Sequence, residues 1–226
     1  MLRRLTVVLA AVLVLGGCVG HGGLPIGAAP ASRAPVGTNC PTSQPPALAA
    51  GQTRTVTIST DKGKIVIRVE ANQAPIATGN FVALAACGYY DGVVFSRLVP
   101  GFVIQGGDGQ YGRVGPDGKL SAANAAVVGS GNLGYTIADE LVATSYVRGT
   151  VAMARTSQPH SQSDQFFIVL NDSAAQALTV ANNYAILGNV TAGMDVVDAI
   201  AAMPNSGDPN NQALDPLPML SVTVSP

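Results

Sequence analysis

Metal-binding and nucleophilic residues are scarce in this sequence. It has two histidines, His21 and His160, and three cysteines, and none of them shows the spacing of a metal site. No Gly-x-Ser-x-Gly motif is present, and His160, Ser161 and Asp164 crowd one short loop instead of forming a hydrolase triad. We therefore expect no metal ion, no covalent nucleophile and no cofactor.

Charged and aromatic residues are also few. Charged residues make up 11% of the 226 residues, and the formal net charge is -1. Binding to nucleic acid needs clustered Lys and Arg, so nucleic acid is not an expected partner. Tryptophan is absent and aromatics reach only 5%, while hydrophobic residues reach 47%. This composition excludes a disordered chain and predicts a core built mainly from Val, Ile, Leu and Ala.

The N-terminus has the pattern of an export signal. A pair of arginines precedes the apolar run Leu5–Leu15, which is too short to span a bilayer comfortably. The next residues complete Leu15-Gly16-Gly17-Cys18, which resembles the bacterial lipobox, where the cysteine is lipidated and becomes the new N-terminus. We expect a signal peptide over 1–17 and an extracytoplasmic protein anchored to the bacterial cell membrane through Cys18. Ordinary secretory cleavage, with Cys18 a chance residue, is the alternative.

Residues 18–50 are expected to form a flexible tether. They are rich in Gly, Pro, Ala and Ser and have no apolar period, so they bury too little surface to offset the entropy of ordering. Residues 51–226 are then the folded domain. Cys40 lies in the tether and Cys87 near a predicted helix end, and the sequence leaves open whether they form a disulfide in an oxidising compartment.

The domain is rich in short alternating runs typical of β-strands. Arg54–Thr60 and Lys64–Glu70 flank Asp61-Lys62-Gly63 and predict a hairpin. A helix is predicted from Pro75 to just before Gly88. The remaining elements are predicted strands at 93–98, 102–105, 150–154, 165–170, 185–190 and 220–224 and a second helix at 194–202. Many short strands with two helices predict a β-barrel capped at its ends.

One segment, Phe95–Asp108, carries the most chemical information. If Phe102 and Gln105 flank one strand while Arg97 lies on its neighbour, then an aromatic ring, an amide and a guanidinium converge beside an apolar patch. The alternative is that Arg97 is a surface arginine whose stem packs on apolar residues.

A second segment, Gln165–Ile168, follows the run Val151–Thr156. Strand alternation places Gln165 and Phe167 on one face and Phe166 on the other, so one phenylalanine lines a groove while the other fills the core. The alternative is that both phenylalanines are core residues.

These segments together resemble the cyclophilin family. The resemblance runs from about Arg54 to the C-terminus and consists of several separate motifs in the family's order. The motifs are Ala74-Pro75, Asn80-Phe81, Gly88-Tyr89-Tyr90-Asp91-Gly92, Phe95–Asp108, Val151–Thr156, Gln165–Ile168, Leu187-Gly188-Asn189-Val190 and Gly193–Val197.

The resemblance implies a mainly β fold, an eight-stranded antiparallel closed barrel capped by two α-helices, with a proline-binding groove on its outer face. It also implies a monomeric peptidyl-prolyl cis/trans isomerase that acts on proline-containing peptides and on unfolded exported proteins, and that helps those proteins to fold. Two alternatives remain: a non-catalytic chaperone or scaffold that binds proline peptides, and a purely structural envelope lipoprotein.

The resemblance also implies roles for nine residues. By position, the catalytic set is Arg97, Phe102 and Gln105, and the substrate-binding set is Val103, Ala154, Arg155, Gln165, Phe167 and Tyr184. Three departures from the family pattern matter. Tyr184 stands at the usual groove histidine position, and the missing tryptophan argues against tight cyclosporin binding. The 109–134 segment is longer than usual, so no correspondence is carried over within it.

Overall fold

The computed structural model of the protein describes residues 37, 39–181 and 183–226. In this part of the chain nine strands form a single sheet, accompanied by four helices. The strands are β1 Thr53–Thr60, β2 Gly63–Glu70, β3 Val94–Val99, β4 Val103–Gly106, β5 Thr150–Met153, β6 Phe166–Val169, β7 Ile186–Ala192, β8 Gln212–Pro218 and β9 Ser221–Ser225. The helices are α1 Pro75–Ala86, α2 Ala122–Ala125, α3 Ala174–Ala181 and α4 Met194–Ala201. None of the described helices has both the length and the apolar character that a membrane span requires.

All the paired strands run antiparallel, in the order β8-β3-β4-β6-β5-β7-β2-β1-β9. The two end strands, β8 and β9, follow each other in the chain with only Met219 and Leu220 between them. The Met219 amide donates to the Val93 carbonyl at 2.8 Å, and the Leu220 amide donates to the Ser59 carbonyl at 2.8 Å. The sheet is therefore curled, since this one segment borders β3 and then β1.

The expected fold class, mainly β with an antiparallel sheet and few helices, is confirmed. The strand count differs, because the structure has nine strands where eight were expected. The additional strand is β8, which carries Pro216 and Pro218. Proline lacks the N–H that a strand ladder needs and is tolerated mainly at sheet edges, and β8 is an end strand in the sheet order.

The inner core fills the curl of the sheet. Alternate residues of the β1–β2 hairpin point inward, and Ile58, Ile65 and Ile67 are fully buried. Helix α1 packs across β9, β7 and the hairpin and contributes Phe81 and Leu84 to the core. Since such side chains stabilise a fold by about 1.5–3 kcal/mol each when buried, this core is the main source of stability.

The N-terminus of α1 is capped from a distant loop. Pro75 occupies the first turn as expected, and the amides of Ile76 and Ala77 donate to the two carboxylate oxygens of Glu140, both at 2.8 Å. A carboxylate at this helix end satisfies two free amides and interacts favourably with the helix dipole.

The described part of the expected tether contacts the folded domain at several points. Cys40 forms a disulfide with Cys87 at the end of α1, with an S–S distance of 2.02 Å. The Leu48 amide donates to the Pro75 carbonyl at 2.9 Å, and the Gln44 side-chain oxygen accepts from the Ala138 amide at 3.1 Å. A covalent bond and specific hydrogen bonds hold this segment in place without an apolar period. The signal peptide, Cys18 and the rest of the tether prediction lie outside the described residues.

Candidate functional site

A β-bulge in β3 sets the position of Arg97. Phe95 pairs with Gly106 and Arg97 pairs with Gln105, so Ser96 is an extra residue on β3. Phe95 lies in the inner core, while Arg97 is half-buried opposite Gln105. Bulges re-aim side chains at functional sites. A β-turn over Val99–Phe102 then leads into β4, and the Phe102 amide donates to the Val99 carbonyl at 3.0 Å. Gly101, the third residue of this turn, has the positive φ of 70° that a type II turn requires at that position.

Strand β6 supplies the aromatic side chain next to Gln105. Gln105 pairs with Phe167, and Val103 pairs with Val169. Phe166 lies in the inner core, whereas Phe167 belongs to a second apolar cluster on the other face of the sheet. The alternation predicted for these two phenylalanines is therefore confirmed.

The second cluster borders a cavity of about 150 Å³. Eight of the nine residues to which the sequence assigned a role line this cavity, namely Arg97, Phe102, Val103, Gln105, Ala154, Arg155, Phe167 and Tyr184. The ninth, Gln165, lines a neighbouring cavity instead. Leu178 of α3 completes the lining and was not predicted. Its spacing of four from Ala174, which is also buried in the second cluster, is the signal that indicates a helix there.

Two glutamine side chains connect the cavity to the 109–134 segment. The Gln105 amide nitrogen donates to the Gln165 side-chain oxygen at 2.9 Å. The Gln165 amide nitrogen donates in turn to the carbonyls of Gly129 and Gly131 at 3.1 and 3.0 Å. Gln165 therefore links the groove amide to the 129–131 segment.

The Arg155 guanidinium is engaged in structural contacts. Its side chain is only 5% exposed and lies 3.3 Å from a carboxylate oxygen of Asp139. It also donates to the carbonyls of Thr156, Gln158 and Asn183 at 3.1, 2.7 and 3.3 Å. Burial opposes the ionisation of Asp139, but hydrogen bonds from the loop and the charge of Arg155 outweigh it and lower the pKa of Asp139. Arg155 therefore shapes the cavity wall while its charge is neutralised by a carboxylate.

Tyr184 closes the cavity against Phe167. Their ring centroids are 5.4 Å apart with an edge-to-face interplanar angle of 86°. The buried Tyr146 fixes the backbone of Tyr184, since the Tyr146 hydroxyl donates to the Tyr184 carbonyl and accepts from the Tyr184 amide, both at 3.1 Å. No sequence pattern indicated this role for Tyr146.

Two larger cavities flank the first, and Gln105 lines all three. One, of about 270 Å³, lies between the 129–132 segment and the connection from β5 to β6, which contributes Ala154, Thr156 and Gln165 among others. The other, of about 530 Å³, also includes Arg97 and lies between β3, the 126–130 segment and the 209–212 segment. The 126–132 part of the loop is thus a wall of both flanking cavities.

Two buried carboxylates, those of Asp108 and Asp164, contact the 109–134 segment. Asp108 accepts four backbone hydrogen bonds, from the amides of Gln110, Tyr111, Gly129 and Gly131 at 3.1, 2.9, 2.7 and 3.0 Å. The side chain of Asp108 thus joins the start of the 109–134 segment to its later part.

Asp164 lies beside this carboxylate and is fully buried. The Tyr89 hydroxyl donates to it at 2.5 Å, and the Gly109 amide donates at 3.3 Å. Burial, assisted by the charge of Asp108 and opposed by the Tyr89 hydrogen bond, raises the pKa of Asp164 to about 7. Apart from its residue type, nothing in the sequence indicated that Asp164 is a buried acid.

Comparisons with known proteins agree on one family. The family model described as cyclophilin type peptidyl-prolyl cis-trans isomerase/CLD matches residues 55–224. A peptidyl-prolyl cis-trans isomerase of Acinetobacter baylyi is 37% identical over 172 residues, covering 75% of this chain and 84% of that protein. Peptidyl-prolyl cis-trans isomerase B of Escherichia coli is 34% identical over 176 residues, covering 75% of this chain and 99% of that protein.

Solved structures give the same result. A crystal structure of a cyclophilin type isomerase from Cryptosporidium parvum superposes with a TM-score of 0.62 at 26% identity, covering 77% of this chain and 99% of that one. A second crystal structure of that protein, obtained in the presence of the dipeptide Ala-Pro, gives a TM-score of 0.61 at 28% identity, covering 76% of this chain and 99% of that one. The chain therefore belongs to the family of cyclophilin-type peptidyl-prolyl cis-trans isomerases.

Proposed function

We propose that the 150 Å³ cavity binds the proline ring of an X-Pro peptide and that Arg97 is the catalytic residue of its isomerisation. Four apolar side chains support the first part, since Phe102, Val103, Phe167 and Leu178 line a pocket of about the size of a proline ring. The Cryptosporidium relative was crystallised in the presence of Ala-Pro, which is the smallest ligand of this kind.

The chemical problem is amide resonance. Rotation about an X-Pro bond crosses a barrier of about 20 kcal/mol, because the nitrogen lone pair is delocalised into the carbonyl in both planar isomers. In the twisted transition state the lone pair localises on nitrogen, which then becomes a hydrogen-bond acceptor. A donor that reaches this nitrogen binds the transition state more tightly than either isomer, and this difference is what accelerates the reaction.

Arg97 is the group that meets this requirement, and its position is the observation that carries the proposal. It lines the cavity together with the two phenylalanines, Phe102 and Phe167. Within the described part of the chain no carboxylate forms an ion pair with it, in contrast to Arg155, whose charge is neutralised by Asp139. The apolar rings exclude water beside the guanidinium and so strengthen its interaction with the proline nitrogen.

Gln105 supports Arg97 as a positioning residue. Strand pairing places it directly opposite Arg97, and its amide nitrogen is fixed by Gln165. We propose that its remaining hydrogen-bonding capacity orients the guanidinium or the rotating carbonyl, which reduces the entropy lost on reaching the transition state.

An isomerase assay on an Ala-Pro-containing peptide tests this assignment. Arg97→Ala is expected to lower kcat/KM by at least about tenfold, which corresponds to about 1.4 kcal/mol of transition-state stabilisation. The control is Arg68→Ala, which removes an arginine whose side chain is 59% exposed on β2 and should leave turnover unchanged. Equal activity of wild type and Arg97→Ala would refute the assignment.

We further propose that the enzyme acts on exported proteins outside the cytoplasm and is anchored to the membrane by lipid on Cys18. The lipobox-like sequence supports this, as does the Cys40–Cys87 disulfide, because disulfides persist mainly in oxidising compartments. Mass spectrometry of the mature N-terminus should find acyl chains on Cys18, and Cys18→Ser should release the protein from membranes. An unmodified N-terminus or a soluble wild-type protein would contradict this proposal.

A further inference from the structure

The 530 Å³ cavity beside Arg97 is more than three times as large as the proposed proline pocket. It shares Arg97 and Gln105 with that pocket, so the two cavities adjoin at the proposed catalytic residue. A peptide with its proline ring at Phe102 and Phe167 would therefore present a nearby side chain to this second cavity.

Ser96, the extra residue of the β3 bulge, lies in the wall of this cavity. The bulge interrupts strict alternation here, since Phe95 lies in the inner core while both Ser96 and Arg97 line the cavity. Ser96 is only 2% exposed, and its hydroxyl oxygen has no hydrogen-bond partner among the described residues. A buried hydroxyl without a partner is unfavourable, and such a group in a native fold needs an explanation.

Among the described residues that line the cavity, the charged group is a donor, while the carboxamides of Gln105, Asn210 and Gln212 also carry acceptor oxygens. The Arg97 guanidinium can only donate, and the Asn210 side chain adds an amide. The Gln212 amide nitrogen is already bound to the Ala125 carbonyl. No carboxylate is among the described residues that line this cavity, while Val127 and Val128 give it an apolar flank. A side chain with an apolar stem and an acceptor oxygen at its end fits this arrangement.

We propose that this cavity selects client peptides that carry a carboxamide or carboxylate side chain close in sequence to the proline, and that the Ser96 hydroxyl donates to its oxygen. The inference rests on the proposed function, because it uses the proline pocket to place the peptide. Ser96 is then a specificity-determining residue of the isomerase.

A set of proline peptides tests the inference. The reference peptide has alanine at each of the three positions before and after the proline, and each position is replaced in turn by Gln, Glu or Leu. Leu is the apolar control of similar size. Wild type is expected to prefer Gln, Glu or both over Leu at one position by about three- to tenfold in kcat/KM, mainly through KM, since one hydrogen bond contributes about that much. A gain limited to Gln identifies a carboxamide site, and a gain limited to Glu identifies a carboxylate site.

Two variants assign this preference to the hydroxyl. Ser96→Ala is expected to reduce the preference to about one, whereas Ser96→Thr, which keeps the hydroxyl, should retain it. Ser59→Ala removes a half-buried outward-facing serine of β1 and serves as the matched control. The inference is overturned if no position shows a preference over Leu, or if the preference survives in Ser96→Ala. Should wild type fail to turn over the reference peptide, the proposed function fails instead, and peptide titration by NMR with the Gln and Leu peptides still tests the cavity.

Discussion

Replacement of Asp164 by asparagine should change how stability depends on pH. Asp164 is fully buried, and its pKa rises from 3.8 to about 7 on folding. Between these two values the folded chain keeps a proton that the unfolded chain releases. The free energy of unfolding therefore falls as pH rises through this window and levels off above about pH 7. The full difference between the two pKa values corresponds to about 4 kcal/mol of unfolding free energy.

The asparagine side chain has the size of the protonated acid and can still accept from the Tyr89 hydroxyl and the Gly109 amide. It has no ionisable group, so this contribution to the pH dependence disappears. Relative to wild type, Asp164→Asn should gain about 2–4 kcal/mol of unfolding free energy between pH 4.5 and pH 8.5. Comparing the two proteins at each pH cancels the other titrating groups, among them Asp139, whose pKa is lowered.

Urea unfolding at a series of pH values measures this difference. Because the chain has no tryptophan, the transition is followed by far-ultraviolet circular dichroism. Asp61→Asn, at the exposed hairpin turn between β1 and β2, is the matched control and should track wild type at every pH. A difference in unfolding free energy between Asp164→Asn and wild type that is constant, or that shrinks as pH rises, would show that Asp164 does not hold a raised pKa in the folded protein.

The other predictions concern the disulfide, the helix cap and the groove amide. Replacing both Cys40 and Cys87 by serine should lower the free energy of unfolding by up to about 4 kcal/mol, since the bond closes a separation of 47 residues; a loss below about 1 kcal/mol in urea unfolding would contradict this. Glu140→Gln should cost about 1 kcal/mol by weakening the cap of α1, and unchanged stability in the same assay would show that the cap contributes little. Gln105→Ala should lower isomerase kcat more than it raises KM, as expected for a positioning residue; an effect on KM alone would make it a binding residue.

Much of the groove could be predicted from the sequence because its parts are local. The Pro100-Gly101 turn and the alternation in β3 and β4 bring Arg97 and Gln105 together, and alternation in β6 separates Phe166 from Phe167. A pattern with a period of two cannot reveal an inserted residue, so the bulge at Ser96 was not predicted.

The remaining features depend on contacts between residues far apart in the chain. The Glu140 cap of α1, the Cys40–Cys87 bond and the Asp164–Tyr89 hydrogen bond each join segments separated by 47 to 75 residues. Strand β8 was missed for a different reason, since its two prolines conflict with the usual strand composition. Local pattern predicts which residues can form a strand, but not which of them meet across the fold.

Arg97 is proposed to stabilise the twisted amide more than it stabilises either planar isomer. NMR exchange spectroscopy on a proline peptide, at a concentration that saturates the enzyme, measures cis/trans exchange of the bound peptide, and a titration measures Kd separately. With Arg97→Ala the bound-state exchange rate is expected to be at least about tenfold lower, and Kd is expected to stay within about threefold of wild type. If the exchange rate of the bound peptide stayed at the wild-type value and the whole loss were in Kd, Arg97 would be a binding residue and not the catalytic one.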